Sequence, residues 1–382
     1  MIYDFDEVIP RRETDSVKWR AYDADVLPMW VADMDFRSPQ PVLDSLNARI
    51  NHGIFGYPET DPELKRVVHE RLLRLYNWKV LEDDIVFLPG VVTAFNTVVH
   101  ALTQPGSGVL MQTPVYPPFL TAPQNAGAVR QEAPLAVNGT LEYGIDLQAF
   151  EDAIQPDTAM FLFCNPHNPV GRVFTRKELI GLAQICLYKG IPVCSDEIHC
   201  DLIYPGYQHI PLASLNDEIA QNTITLMAPS KTYNIAGLGC SFAVVQNPEL
   251  RKKLEAAHLG LVGHVNILGY TAALAAYRDG QEWLDQVLVY LKDNRDFLQE
   301  FVNQNLPGIR MTRMEGTYLA WLDCRSLDKD PYKFFLKEAR VALNDGKVFG
   351  SGGEGFVRMN IGCSRVLLKE ALERMASALK QR

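Results

Sequence analysis

The stretch Thr223-Ile224-Thr225-Leu226-Met227-Ala228-Pro229-Ser230-Lys231-Thr232-Tyr233-Asn234 decides how the rest of the chain is read. Residues 223–227 are apolar and β-branched, the pattern of a strand buried on both faces. A lysine just past the end of such a strand sits over a site rather than in solvent. Burial lowers an amine's pKa, and a neutral amine can form a Schiff base. Most lysines are solvated surface charges, however, so the weight of Lys231 depends on what other strand ends place beside it.

Working outward, residues 85–88, 109–112, 159–163, 192–195 and 240–245 also read as strands, with helical patterns between several of them, for example 93–102 and 176–188. Strand and helix in alternation predict an α/β fold, a mostly parallel sheet between helices. In such sheets ligands gather outside the carboxyl ends of the strands. The two ends of the chain differ. Residues up to about 41 are irregular, with Pro, Trp and Asp-rich turns. A long helical stretch, 282–303, leads to a strand at 318–323, a helix near 331–339, a strand at 355–361 and a closing helix at 367–380. The expected division is a large domain over 42–285 and a smaller α+β domain built from 1–41 and 286–382.

Composition narrows the function classes. The chain has 382 residues, 47% hydrophobic and 22% charged, ordinary for a globular enzyme with a large core. Its net charge of −9 argues against nucleic-acid or anionic-membrane partners, which need basic surface. The first residues are acidic where a signal peptide is basic, and no apolar run approaches a membrane span, so a cytoplasmic location is expected. Seven scattered cysteines with no C-x-x-C pair read as reduced and buried.

Two earlier segments converge on Lys231. In Phe163-Cys164-Asn165-Pro166-His167-Asn168-Pro169-Val170-Gly171, two Asn-Pro steps make a rigid turn that presents Asn168 beyond a strand. In Val193-Cys194-Ser195-Asp196-Glu197-Ile198-His199, Asp196 follows a fully buried run, where a carboxylate is costly unless it meets a cation. An amide, a carboxylate and an amine after three strands of one sheet match the needs of pyridoxal phosphate. That cofactor requires a lysine for its aldehyde, an acid to keep its ring nitrogen protonated and a donor for its phenolic oxygen. A metal held by Asp196, Glu197, His199 and Cys200 is not expected, because neighbours alternate sides at a strand end and cannot all converge.

These motifs resemble the fold-type-I pyridoxal-phosphate enzymes, the aminotransferase class I and II superfamily, over nearly the whole chain. The resemblance implies a seven-stranded, mostly parallel sheet in the large domain and a homodimer acting on small amino-acid substrates. It implies that Asn168 hydrogen-bonds the cofactor's phenolic oxygen, Asp196 pairs with the pyridine nitrogen and Lys231 bonds the aldehyde. Val91 and Val92, opening a helix after Gly90, would hold the phosphate through backbone N–H groups, with the hydroxyl of Ser230. Tyr116, in Thr113-Pro114-Val115-Tyr116-Pro117-Pro118, resembles the tyrosine that stacks on the ring and is a candidate proton donor. Tyr57, in Phe55-Gly56-Tyr57-Pro58, resembles the one that reaches the neighbouring subunit's phosphate. Arg358 resembles the clamp for the substrate's α-carboxylate, and the turn at Ala32 and Asp33 would add a backbone donor to it.

Two departures point to a branch. His199 stands three residues after the aspartate, where typical transaminases carry tyrosine, and Gly239 stands eight after the lysine, where they often carry a basic residue. With Leu-Pro-Met-Trp-Val-Ala-Asp-Met-Asp-Phe at 27–36, these are similar to the cystathionine β-lyase, or cysteine-S-conjugate β-lyase, branch. The function implied is a carbon–sulfur β-lyase yielding pyruvate, ammonia and a thiol. An aminotransferase is the alternative, followed by a cofactor-binding regulatory module. No G-x-G-x-x-G follows a strand, which argues against a dinucleotide dehydrogenase.

Overall fold

The computed structural model describes residues 1–381. Seven strands form the central sheet: β1 (Ile85–Leu88), β2 (Gly108–Met111), β3 (Val129–Glu132), β4 (Thr158–Cys164), β5 (Val193–Asp196), β6 (Thr223–Met227) and β7 (Ser241–Val244). Their spatial order is β1-β7-β6-β5-β4-β2-β3, and only β7 runs against its neighbours. Six of these strands lie within a residue or two of the runs expected from sequence. The exception is β3, an edge strand with Val129 and Arg130 exposed, which carries no apolar run to betray it.

Both faces of the sheet are covered, and the two-residue period of β4 shows how. Met160, Leu162 and Cys164 join one apolar cluster with the helix Val91–Leu102. Phe161 and Phe163 join another with Leu179 and Leu182 of the helix Arg176–Tyr188. The latter helix starts where a capping box dictates, with Thr175 and Glu178 exchanging side-chain and backbone hydrogen bonds. All seven cysteines are buried and unpaired. Among the described residues no helix is long and apolar enough to cross a membrane.

Beyond the long helix Gln281–Asn305, four antiparallel strands form a second sheet: β8 (Arg310–Met311), β9 (Leu319–Asp323), β10 (Asn344–Asp345) and β11 (Phe356–Asn360), in the order β8-β9-β11-β10. The long helix buries Trp283, Val287, Leu291, Leu298 and Val302 along one stripe. Each such side chain contributes roughly 1.5–3 kcal/mol. The expected helix at 331–339 is an α-turn, Pro331–Phe334, widening into a π-helix, Phe335–Ala339.

The N-terminal segment is pinned to this second sheet's side. Leu27–Pro28 pairs in parallel with Val341–Ala342. Lys18, almost fully buried, donates to Asp35 at 2.6 Å, and Asp35 also accepts from Arg11 and from the indole of Trp19. Removing either partner would leave the other charge buried and uncompensated, at a cost of about 3–5 kcal/mol.

Candidate active site

Three neighbouring parallel strands deliver the central residues. Asp196 is the last residue of β5, Asn168 follows β4 in the loop with its two Asn-Pro steps, and Lys231 lies in the short turn Pro229–Thr232 after β6. All three line one cavity of about 220 Å³, together with Ala32, Val91, Val92, Tyr116, His199 and Ser230. Arg358 reaches the group by donating to Asn168 Oδ1 at 2.9 Å. Tyr57 is not brought there: it is fully exposed and lines a separate hollow of about 750 Å³ with Arg49, Tyr270 and Arg278. That larger hollow contains none of the strand-end residues, so the chemistry of the lining, not its size, picks out the site.

The charges in this cavity are unbalanced in an informative way. Asp196 is buried, and one of its oxygens accepts from the Ile198 N–H at 3.0 Å while the other has no partner among the described residues. Burial pushes its carboxyl up to about 7. Lys231 donates to the Ala32 carbonyl at 2.6 Å, and the part of it left uncovered faces the cavity rather than bulk water. Loss of solvation lowers its amine to about 8. His199 is buried with Nδ1 unpartnered, and burial, helped by the Lys231 and Arg358 charges, lowers it to about 3, so the ring is neutral.

Arg358 is the sharpest case. It is 4% exposed, yet no carboxylate meets it. Its guanidinium donates to Asn168 Oδ1, to Asn344 Oδ1 at 2.6 Å and to the Trp30 carbonyl at 3.0 Å, and lies 5.0 Å from the Phe349 ring. Nε has no partner, and burial lowers the group to about 10. The other deeply buried cations, Lys18 and Arg71, each have an aspartate. A buried guanidinium held only by neutral groups is poised for an incoming anion, and its planar fork fits a carboxylate.

At the other end of the cavity Gly90 precedes the helix Val91–Leu102 with φ 129° and ψ 151°, a conformation open to glycine alone, and offers no capping side chain. The first bond of the helix runs from Ala94 N to Gly90 O. The N–H groups of Val91 and Val92 are thus free of helical partners at the positive end of a helix dipole, a ready anion site. Gly239 is left-handed, with φ 57°, and a Cβ there would come within 3.4 Å of the Pro89 carbonyl oxygen. No basic side chain replaces it, so the donors this end of the cavity offers an anion are N–H groups and the Ser230 hydroxyl.

This donor set fits pyridoxal phosphate group by group. An uncapped helix start suits the phosphate, and an open carboxylate oxygen on Asp196 suits a protonated ring nitrogen. The amide nitrogen of Asn168 is the end left over once Oδ1 is taken by Arg358, and it suits the phenolic oxygen. A lysine lowered toward neutrality suits the aldehyde.

Several participants were not expected from sequence. Tyr318 donates to Ala32 O at 2.9 Å and sets its ring edge-on to His199 at 6.2 Å. Asn344 steadies Arg358. Asn360 donates to the carbonyls of Val31 and Asp33, while Asn234 donates to those of Met34 and Phe36. The turn at Ala32 and Asp33, expected as a donor, makes its backbone contacts through its carbonyls, and its N–H groups have no partner among the described residues. In the structure, left-handed backbones at Asn234 and Thr317 mark the chain just beyond Lys231 and just before Tyr318, a feature the sequence does not display.

Comparisons with known proteins agree with this chemistry. Residues 24–375 match the family model for aminotransferase class I and II. The chain is 40% identical over 386 residues to cystathionine beta-lyase PatB of Bacillus subtilis (strain 168), covering 98% of this chain and 100% of that protein. It superposes on the pyridoxal-5'-phosphate-containing cystalysin of Treponema denticola with a TM-score of 0.96 at 36% identity, covering all of both chains. It also superposes on a PLP-bound C-S lyase of Staphylococcus hominis with a TM-score of 0.93 at 33% identity, again covering all of both chains. With the strand-end lysine, aspartate and asparagine in one cavity and likeness from end to end, the chain belongs to the aminotransferase class I and II family.

Proposed function

We propose that this chain is a pyridoxal-phosphate-dependent carbon–sulfur β-lyase. It cleaves cystathionine, cysteine or S-substituted cysteines to pyruvate, ammonia and a thiol, as a cytoplasmic homodimer. The observation that carries the reading is the unpaired, buried Arg358 joined through Asn168 to the cavity of Lys231 and Asp196. It puts recognition of an α-carboxylate beside an amine and an acid, in a chain alike over its full length to carbon–sulfur lyases.

When bound, the cofactor supplies an aldehyde for the substrate amine and a ring that accepts the electron pair released at the α-carbon. Asp196 would hold the proton on the ring nitrogen. Asn168 would donate to the phenolic oxygen, and the N–H groups of Val91 and Val92 with Ser230 would hold the phosphate. His199, neutral, lines the cavity, and Tyr116 would stack on the cofactor's ring. Arg358 and the Ala32 backbone fix the substrate's carboxylate. Lys231, lowered to about 8 by burial, has a substantial neutral fraction near that pH and takes the α-proton. Tyr116, its phenol raised by burial and therefore protonated, gives its proton to the departing sulfur. The enamine left behind takes up water to give pyruvate and ammonia. Tyr57 of each subunit serves its partner's phosphate, which accounts for a fully exposed tyrosine beside a large hollow. Residues 42–285 form the cofactor-binding domain, and residues 1–41 with 286–382 the domain that brings Arg358 to it.

The test is a product assay. L-Cystathionine should yield pyruvate, ammonia and homocysteine in equal amounts without any keto acid, and Lys231→Ala should abolish both turnover and the visible absorption band. Steady keto-acid-dependent amino transfer, with no pyruvate from any cysteine thioether, would reject the lyase in favour of an aminotransferase.

A further inference from the structure

Arg358 and Asn360 lie two residues apart on β11, so their side chains leave the same face of the strand. Both grip the same stretch of the N-terminal segment. Arg358 donates to the Trp30 carbonyl at 3.0 Å. Asn360 spends both amide hydrogens on the flanking carbonyls, Val31 O and Asp33 O, the latter at 2.7 Å. Its Oδ1 accepts from Gly362 N at 2.7 Å, and its own backbone N–H donates to Met29 O at 2.8 Å. Asn360 is 1% exposed and touches no wall of the cavity.

Between the two carbonyls held by Asn360 sits Ala32, which does line the cavity. The Val31–Ala32 peptide is trans, so the Ala32 N–H points opposite to the Val31 carbonyl. Fixing that carbonyl on Asn360 therefore aims the N–H away from Asn360. The next carbonyl, Ala32 O, is held by Tyr318 and, while its amine is free, also by Lys231. Three successive peptide groups are thus locked by side chains, and the Ala32 N–H is left without a protein acceptor.

We infer that Asn360 is a positioning residue for recognition of the substrate's α-carboxylate: it holds the Ala32 N–H in fixed register with the Arg358 guanidinium. The inference rests on the reading of Arg358 and Ala32 as the carboxylate site. Asparagine suits the task because it bridges two carbonyls while its own oxygen is satisfied. Aspartate would set a charge against both carbonyls, and alanine would free the segment. Losing the register of one N–H donor to a carboxylate weakens binding by about ten- to a hundredfold.

The holoenzyme and its Asn360→Ala, Asn360→Ser and Arg358→Ala variants are compared. Dissociation constants for L-alanine and for ethylamine, the same ligand without a carboxylate, are read from the change in visible absorption. KM and kcat are measured with S-methyl-L-cysteine. Asn360→Ala should weaken L-alanine by about tenfold or more and raise KM while leaving ethylamine binding, kcat and the unliganded visible band close to the parent. Asn360→Ser, which keeps one donor, should fall between, and it carries the same criteria if the alanine variant does not fold. Parent-like L-alanine binding, or equal loss of L-alanine and ethylamine, overturns the inference. If Arg358→Ala discriminates between the two ligands and Asn360→Ala does not, the inference alone fails. If Arg358→Ala does not discriminate, the carboxylate site itself is misread and the inference goes with it.

Discussion

Asp196→Asn should make the cofactor-free protein more stable, and by an amount that depends on pH. Asp196 is 4% exposed, accepts one backbone hydrogen bond at 3.0 Å and has no ion-pair partner, so burial holds its carboxyl near 7 against an ordinary 3.8. A raised carboxyl means that the folded chain binds a proton the unfolded chain has released. Stability therefore falls as pH rises from about 4 to about 7 and is level above that. At pH 8 the ionised carboxylate costs the empty fold up to about 4 kcal/mol, and near pH 4.5 only about 1 kcal/mol. Asparagine has no such dependence, and its own amide burial is the same at both pH values. In urea titrations of the cofactor-free proteins, the gain from Asp196→Asn at pH 8 should exceed the gain at pH 4.5 by about 3 kcal/mol. Loaded enzyme should show the reverse, since the protonated ring nitrogen supplies the missing cation and the amide cannot match it. A difference between the two proteins that stays constant across this pH range would refute the reasoning.

Two further outcomes follow from the same structure. Asp201 accepts from Arg71 at 2.5 Å and from Thr232, the neighbour of Lys231, at 2.9 Å, so Asp201→Ala should cost about 3–5 kcal/mol in urea titration by stranding a buried guanidinium; pairing it with Arg71→Met should recover most of that loss. A Cβ at Gly90 would meet nothing within 4 Å, so Gly90→Ala should destabilise by about 1–3 kcal/mol through backbone strain alone and slow reloading of the cofactor, measured as recovery of the visible band.

Much of this arrangement was legible in the sequence because it is carried by local patterns. Strand β6 is legible to the residue in its apolar and β-branched run, and Lys231, Asp196 and Asn168 stand out because each follows a strand-like run within four residues. Val91, Val92 and Ser230 are named by the family resemblance, with the helix start after Gly90 in support. What escaped detection lacks a local pattern. The edge strand β3 is half exposed and polar, so nothing separates it from a loop. Asn360 reads as a second polar residue beside Arg358 in an otherwise apolar strand, and its partners Val31 and Asp33 lie 329 and 327 residues away. Tyr318 reads as core until its hydroxyl is seen on Ala32, 286 residues distant. Tyr57 was named from its motif, and a single chain leaves it facing outward.

The adjacency of β4, β5 and β6 also sets a ruler. Strands in a sheet stand about 4.8 Å apart, so the ends of three neighbours mark off about 10 Å. That gauge is fixed by backbone hydrogen bonds and cannot be widened by changing a side chain. Variation in which thioether is accepted should therefore come from the other side of the cleft, from segment 30–36, whose carbonyls are held by the side chains of Asn234, Tyr318, Arg358 and Asn360 and move when those side chains change. One jaw of this site is machined and the other is adjustable.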